Sequence, residues 1–453
     1  MKDKIRIASG QGFWGDLPTA PEDQVNRGPI DYMMMDYLAE VTMSIMQKQK
    51  RKDPALGYAR DLVSVLEKIL LTLLEKKIKV ITNGGGVNSL ACRDAIFAVA
   101  KRLGIRSLRI GVVTGDDILD RIDELQAAGM PLANMESGES LQKIRDRILS
   151  ANVYFGAWPI VEALQKGADI VITGRTTDTG LTLAPMIYEY GWRPDDWNKL
   201  AAGTIAGHIL ECGGQASGGN FSADWRSVPD LAHIGFPIAE AYPDGTVVIT
   251  KHEGSGGLVS MQSVKEQLVY EIGDPCSYIT PDCVADFTSI QLKDDGANRV
   301  KVEGVIGKPS TEFYKVSMSY LDGFTAVGTL TYAWPDAIDK ARAADKILRS
   351  RLQNAGLQFD EIRSELLGYD SCFGPRAVEN GELNEVVLRF GVRGSDYRAV
   401  ERFGKELAPL ILTGPPGVTG FAGGRPKPSE VIAYWPALLA KRAVQPHVAV
   451  EEI

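Results

Sequence analysis

IKVITNGGGVNSLACRDAIFAVAKRLG, residues 78–104, holds one complete structural unit. Its first five residues form a short, largely β-branched apolar run of the kind that makes a buried strand. Three glycines then make a turn, and from 88 to 103 the apolar positions recur at helical intervals until Gly104 stops the pattern. A strand that passes through a glycine turn into a helix is half of a βα repeat. The alternation continues on both sides, with strand patterns at 5–9, 108–113 and 168–173 and helical patterns at 31–46, 58–74 and 117–127. Residues 1–240 are therefore expected to form a Rossmann-like α/β domain with a doubly wound, mostly parallel sheet. After Pro237 strand patterns come in succession, at 246–250, 300–306, 313–320, 325–332 and 385–392, with helices at 336–354 and 396–407 and a long loop at 414–428. This predicts a second, α+β domain over 241–453 that contains antiparallel strands.

The chain has 453 residues and a formal net charge of -8, with no basic tail or stripe, which argues against a nucleic-acid partner. Its start, MKDKIRIASG, has charges where a secretory signal has an apolar core, and the longest apolar pattern, 62–74, is broken by Glu67 and Lys68. Neither export nor a membrane span is expected. The five cysteines are scattered and form no Cys-x-x-Cys pair, as suits free thiols in a reducing compartment. A cytoplasmic protein is the expectation.

Three glycine motifs follow strands. GQGFWG, 10–15, matches the letters of the dinucleotide fingerprint, but Asp16-Leu17-Pro18-Thr19-Ala20-Pro21 follows where a helix would have to begin. Asp31 and Asp36 fall in a helical pattern, not at the end of a second strand where a ribose-binding acid stands. No organic cofactor is expected. In the second motif, Asn83, Gly84, Gly85 and Gly86 precede a helix capped by Asn88 or Ser89, so freed N–H groups and the helix dipole could cradle a phosphate or carboxylate. The plainer alternative, a tight turn needing positive φ, has equal claim. The third is Lys251-His252-Glu253-Gly254-Ser255-Gly256-Gly257, before a helix from about 264 with a capping box of Ser263 and Glu266. Two such loops fit a ligand with two anionic parts, such as a coenzyme A thioester.

Reactive side chains crowd most densely between 174 and 220. Arg175 and Asp178 stand just past a strand's carboxyl end, where α/β proteins bind ligands, and could fix a carboxylate and orient a hydroxyl. Trp197, Ala201, Thr204, Ile205, His208 and Cys212 share one helical face, and Glu211 lies within reach of His208. A histidine beside a carboxylate suits proton transfer, or could give two ligands to a divalent metal. A core histidine satisfied by its neighbour is the plainer reading of that pair taken alone. The helix ends in a turn rich in amides and hydroxyls, including Gln215, which favours His208 as the acid/base residue; Cys212 ranks below it as a thiolate.

The segments GRTTDTG, GHILECGGQASGGNF, GFPIAEAYPDG, KHEGSGGLVS and EQLVYEIGDPCSYITPD resemble the acyclic terpene utilisation protein A (AtuA) family, and the likeness runs from about 5 to 440. The resemblance implies a cytoplasmic protein working in catabolism of branched or terpenoid acyl-CoA intermediates. Some longer relatives carry a further C-terminal domain of about a hundred residues, which implies a separate small partner protein here. The expectation is an enzyme of lyase or hydratase type, a homo-oligomer, acting on an acyl-CoA or carboxylate through His208 and Glu211. The alternative is a non-catalytic binding subunit that needs the small partner.

Overall fold

The computed structural model describes residues 2–378, 381, 383–420 and 423–453. The chain forms two compact units, Met1–Ser319 with Tyr434–Ile453, and Tyr320–Ala433. The change of strand pattern near residue 240 lies inside the first of these.

In the first unit the strands β1 (Ile5–Gln11), β2 (Tyr32–Met35), β3 (Lys79–Thr82), β4 (Arg109–Thr114), β5 (Ile148–Val153), β6 (Ile170–Thr173), β7 (Ile238–Ala241) and β8 (Val247–Thr250) follow in chain order. Five of them run parallel in the order β1-β2-β3-β6-β4. β7 and β8 continue the sheet antiparallel beyond β1, and Val300–Glu303 and Gln291–Asp294 extend that edge. His447–Glu452 closes the other edge against β4. Strands covered on both faces read as continuous apolar runs, which is why Met33, Met34, Met35, Val80, Ile81, Val171 and Ile172 are all buried.

The helices are α1 (Ala20–Arg27), α2 (Thr42–Lys52), α3 (Arg60–Lys76), α4 (Ser89–Arg102), α5 (Ile122–Ala127), α6 (Trp158–Gln165), α7 (Gly180–Tyr190), α8 (Trp197–Leu210) and α9 (Met261–Leu268). Leu62, Leu66, Ile69 and Leu73 of α3 and Ile96 and Val99 of α4 pack with Met33, Met35, Val80 and Ile110 of the sheet. Helix α7 begins directly after the β6 turn and packs against α8.

In the second unit Glu361–Leu367 and Glu385–Gly394 pair antiparallel, and Glu385–Gly394 pairs in turn with the part of Phe313–Ala333 from Phe324 onward. The helices Ala337–Asn354 and Tyr397–Leu407 bury Leu348, Val400 and Phe403 against Leu388, Phe390 and Val392. The fold is thus α/β, but the large sheet is mixed and not mostly parallel: five parallel strands at its centre are flanked by antiparallel strands on both edges, and additional antiparallel sheets accompany it.

Four local expectations are corrected. The helix over 31–46 is absent: β2 occupies Tyr32–Met35 and α2 starts only at Thr42. Methionine favours helices, but pairing with β1 on one side and β3 on the other overrides that propensity. Asp36 therefore does follow the end of a second parallel strand. The patterns at 313–320 and 325–332 belong to one continuous strand. The capping box is formed by Ser260 and Ser263, while Glu266 accepts from the Ser222 and Ala223 amides. Of the loop expected at 414–428, Val418–Gly420 is a short strand and residues 421 and 422 lie outside the described ones.

Candidate active site

Gly12, Asp36, Asn83, Asp116 and Arg175 all lie just beyond the carboxyl ends of the parallel strands β1, β2, β3, β4 and β6. Arg175 is the only cation among them. Its side chain is 2% exposed, and Nη1 donates to Leu38 O at 2.7 Å and to Asp178 Oδ1 at 3.1 Å. The guanidinium carbon sits 4.2 Å from the centroid of the Tyr154 ring. The turn that delivers it is fixed from behind: Asp116 Oδ2 accepts from the Arg175 amide at 2.8 Å and from Asn152 Nδ2 at 3.0 Å. Gly174 is required there, because a Cβ would run into the Asp116 carboxylate.

Asp36 accepts from Asn83 Nδ2 at 2.6 Å and from the Leu38 amide at 3.1 Å, while Asn83 Oδ1 takes the Tyr37 amide. Burial pushes the Asp36 carboxyl up to about 6 and Asp178 well above the usual range. Arg175 pulls both back, but Glu211 pushes both up and Glu40 acts on Asp178 in the same sense. One guanidinium cannot neutralise this many carboxylates, so their protonated forms are favoured more than those of ordinary surface acids. Burial likewise lifts Asp116 to about 7, against the pull of its two donors. With 31% of its side chain open, Asp178 is the member of the Arg175 pair that an incoming molecule can touch.

Helix α8 carries the second part. Gly207 lets it approach α7 so closely that a Cβ would lie 2.5 Å from Thr179 O. Gly12 meets the turn after the helix in the same way, with a Cβ position 2.7 Å from Gly213 N. His208, 1% exposed, has Nε2 3.0 Å from Gln267 O and Nδ1 2.8 Å from Glu211 Oε1, the latter within ion-pair range but off the line of a hydrogen bond. A carbonyl oxygen only accepts, so Nε2 carries a hydrogen. The carboxylate 2.8 Å from Nδ1 then favours the doubly protonated ring. Burial disfavours the imidazolium, yet Glu211, the Gln267 carbonyl and Glu271 together outweigh it and the histidine pKa is raised. Both ring nitrogens are thus occupied by protein, and the Glu211 side chain, 13% exposed, is the part of the pair that can face a substrate. Gln267 returns a hydrogen bond to His208 O at 2.8 Å and is braced by Gln215 Nε2 at 3.0 Å. Tyr278 and Phe287 close the imidazole in with ring centroids 5.6 and 5.3 Å away.

Other expected residues stand apart from this cluster or have lost their freedom. Burial, then Glu211, pushes the Cys212 thiol up to about 12, so it stays protonated at neutral pH. The loop of Gly84, Gly85 and Gly86 is buried and filled by its own chain: a Cβ on Gly85 would be 2.6 Å from Thr173 O, and the Gly84 and Gly86 amides already bond Thr82 Oγ1 and Asn83 O. Its glycines serve close packing and leave no open cradle. In the third loop Lys251 Nζ is spent on Ser255 O at 2.7 Å, and the Gly256 and Gly257 amides bond His233 O and Pro229 O. Among the described residues no group of three or more His, Cys, Asp or Glu side chains is placed to hold a metal ion. Asp116 and Tyr154 escaped the sequence reading, and Asp36 was set aside there because its strand reads as part of a helix. For Asp36 the signal was the four-residue apolar run before it, which has strand length.

Residues 5–450 match the family model described as acyclic terpene utilisation family protein AtuA. The chain belongs to this family. Membership spans nearly the whole chain and ties it to acyclic terpene utilisation. No curated protein and no solved structure matches this family member significantly. Among its described residues no helix is long and apolar enough to cross a membrane.

Proposed function

We propose that the protein is a lyase of hydratase type, acting by acid–base chemistry on a branched or terpenoid acyl-CoA or the related carboxylate. One observation carries this reading: two carboxyl groups in opposite electrostatic settings share the carboxyl end of the sheet. Glu211 is paired with a histidine whose protonated form it stabilises, and Asp178 is held toward its protonated form by burial and by neighbouring acids. Two carboxyl groups with such different partners can divide the roles of base and acid between them.

In the dehydration direction Glu211 takes the proton from the carbon next to the carbonyl. The C–H electron pair becomes the new C=C bond, the β-hydroxyl departs, and Asp178 gives it the proton that completes a water molecule. Arg175 holds Asp178 in place. Hydration is the reverse. Neither hydride nor electron transfer is involved, so the scheme calls for no organic cofactor.

The test is an assay of branched 3-hydroxyacyl and 2-enoyl thioesters, followed by the absorbance of the conjugated enoyl thioester. Glu211→Gln and Asp178→Asn should each lower turnover by about 10²- to 10⁴-fold, the scale of general acid–base catalysis. Wild-type rates in both variants would end this assignment.

A further inference from the structure

A cavity of about 470 Å³ opens in the first unit between α9 and the segment that follows it. That is within the usual range for small-molecule sites, about 300–1,000 Å³. Leu268, Ile272, Phe287, Ile290 and Leu292 make its wall apolar. Two polar side chains also line it. Thr288 is committed, since its amide and hydroxyl both donate to Asp286 Oδ1. Lys265 is exposed and has no carboxylate or hydrogen-bond partner among the described residues. An apolar hollow with a single uncommitted cation is complementary to an amphiphile with one negative end.

Its position connects it to the chemistry. Helix α9 offers Gln267 to His208 and the next residue, Leu268, to the cavity. Phe287 lines the cavity and also sets its ring 5.3 Å from that of His208. The cavity and the proton-holding pair thus share a wall.

We infer that this cavity binds the hydrocarbon chain of a medium-length carboxylate, with Lys265 meeting the carboxylate. The identity of this occupant rests on the acyl substrate proposed above; its binding can be read without any turnover. Calorimetric titration of the whole protein with butyrate, hexanoate, octanoate and decanoate should show affinity rising by about three- to fourfold per added methylene. Decylammonium should bind more weakly than decanoate. Lys265→Gln should weaken decanoate by about three- to tenfold, and Leu292→Asp, a like charge on a part-exposed wall, should abolish binding with the melting temperature little changed. If Leu292→Asp does not fold, the decylammonium comparison and Lys265→Gln decide. No dependence on chain length, equal binding of decylammonium, or a solution dimer that Leu292→Asp splits while decanoate fails to bind would each overturn the inference. Glu211→Gln protein should bind decanoate as the wild type does. Intact decanoate binding with no thioester turnover would remove the proposed reaction and leave the cavity standing, and turnover without decanoate binding would do the opposite.

Discussion

The charge on His208, 2.8 Å from Glu211 Oε1 through Nδ1, is sensitive to either partner. Burial alone lowers a histidine pKa, and here the Glu211 carboxylate is the main group that opposes it, with smaller help from the Gln267 carbonyl and Glu271. In Glu211→Gln burial is opposed only by the Gln267 carbonyl and Glu271, so the imidazole should titrate lower than in the wild type, toward or below its ordinary value of 6.5. In the wild type it should titrate above it. The ring-proton chemical shifts followed by NMR against pH distinguish the two; an unmoved titration would mean that the pair is not electrostatically coupled. Cys212 makes the opposite case. A thiol pushed up to about 12 is neither a nucleophile nor a ready target for alkylation at neutral pH. Iodoacetamide at pH near 7 should therefore label the exposed Cys276 and Cys372 while sparing Cys212, and Cys212→Ser should keep activity within about twofold.

At the scale of elements, the site depends on how closely α8 approaches α7. A Cβ on Gly207 would meet the Thr179 backbone at O and Cα, which cannot give way without moving the start of α7. A Cβ on Gly203 would meet only the end of the Leu183 side chain, which can turn aside. Gly207→Ala should thus cost about 1–3 kcal/mol by overpacking, and Gly203→Ala clearly less, as measured by urea unfolding. Equal costs would show that α8 shifts freely. Much of this architecture was legible. Gly104 and the apolar spacing before it mark α4, and β1, β3, β4 and β6 appear as apolar runs to within a few residues. The motif 207–219 drew attention to His208 and Glu211, which the fold does set side by side. What could not be read was non-local. Tyr-Met-Met-Met becomes a strand only because strands flank it, and with β2 hidden, Asp36 was hidden too. The glycines at 84–86 resemble an anion cradle in sequence, and only the packing of Thr173 and Met46 onto them shows the space to be filled.

For the whole molecule, buried acids set the dependence of stability on pH. Asp36, Asp116 and Asp282 have folded values of about 6, about 7 and about 6 against 3.8 when unperturbed. The folded state binds the additional protons, so these groups lose stability as pH rises from about 4 to about 7. His208 acts in the same direction, its contribution being complete below 6.5 and lost as pH rises through its raised folded value. His252, lowered by burial, opposes this as pH falls below 6.5, and Glu240, lowered in the folded state, does so only below 4.5; both are outnumbered by the raised acids. The melting temperature should therefore be higher near pH 5 than near pH 7.5. Asp116→Asn should flatten that slope while keeping the fold, because the bonds from Asn152 and from the Arg175 amide both end on one oxygen that asparagine retains.

The second unit interrupts the first: the chain leaves at Ser319 and returns at Tyr434. On the ribosome, where residues emerge from the amino end, the continuous stretch Tyr320–Ala433 is complete before the strand that covers the edge of β4 has been made. The nascent chain therefore waits with that edge open, a template for unwanted pairing, until His447–Glu452 arrives. The later unit matures first, and the part that holds Arg175 and Glu211 is sealed last.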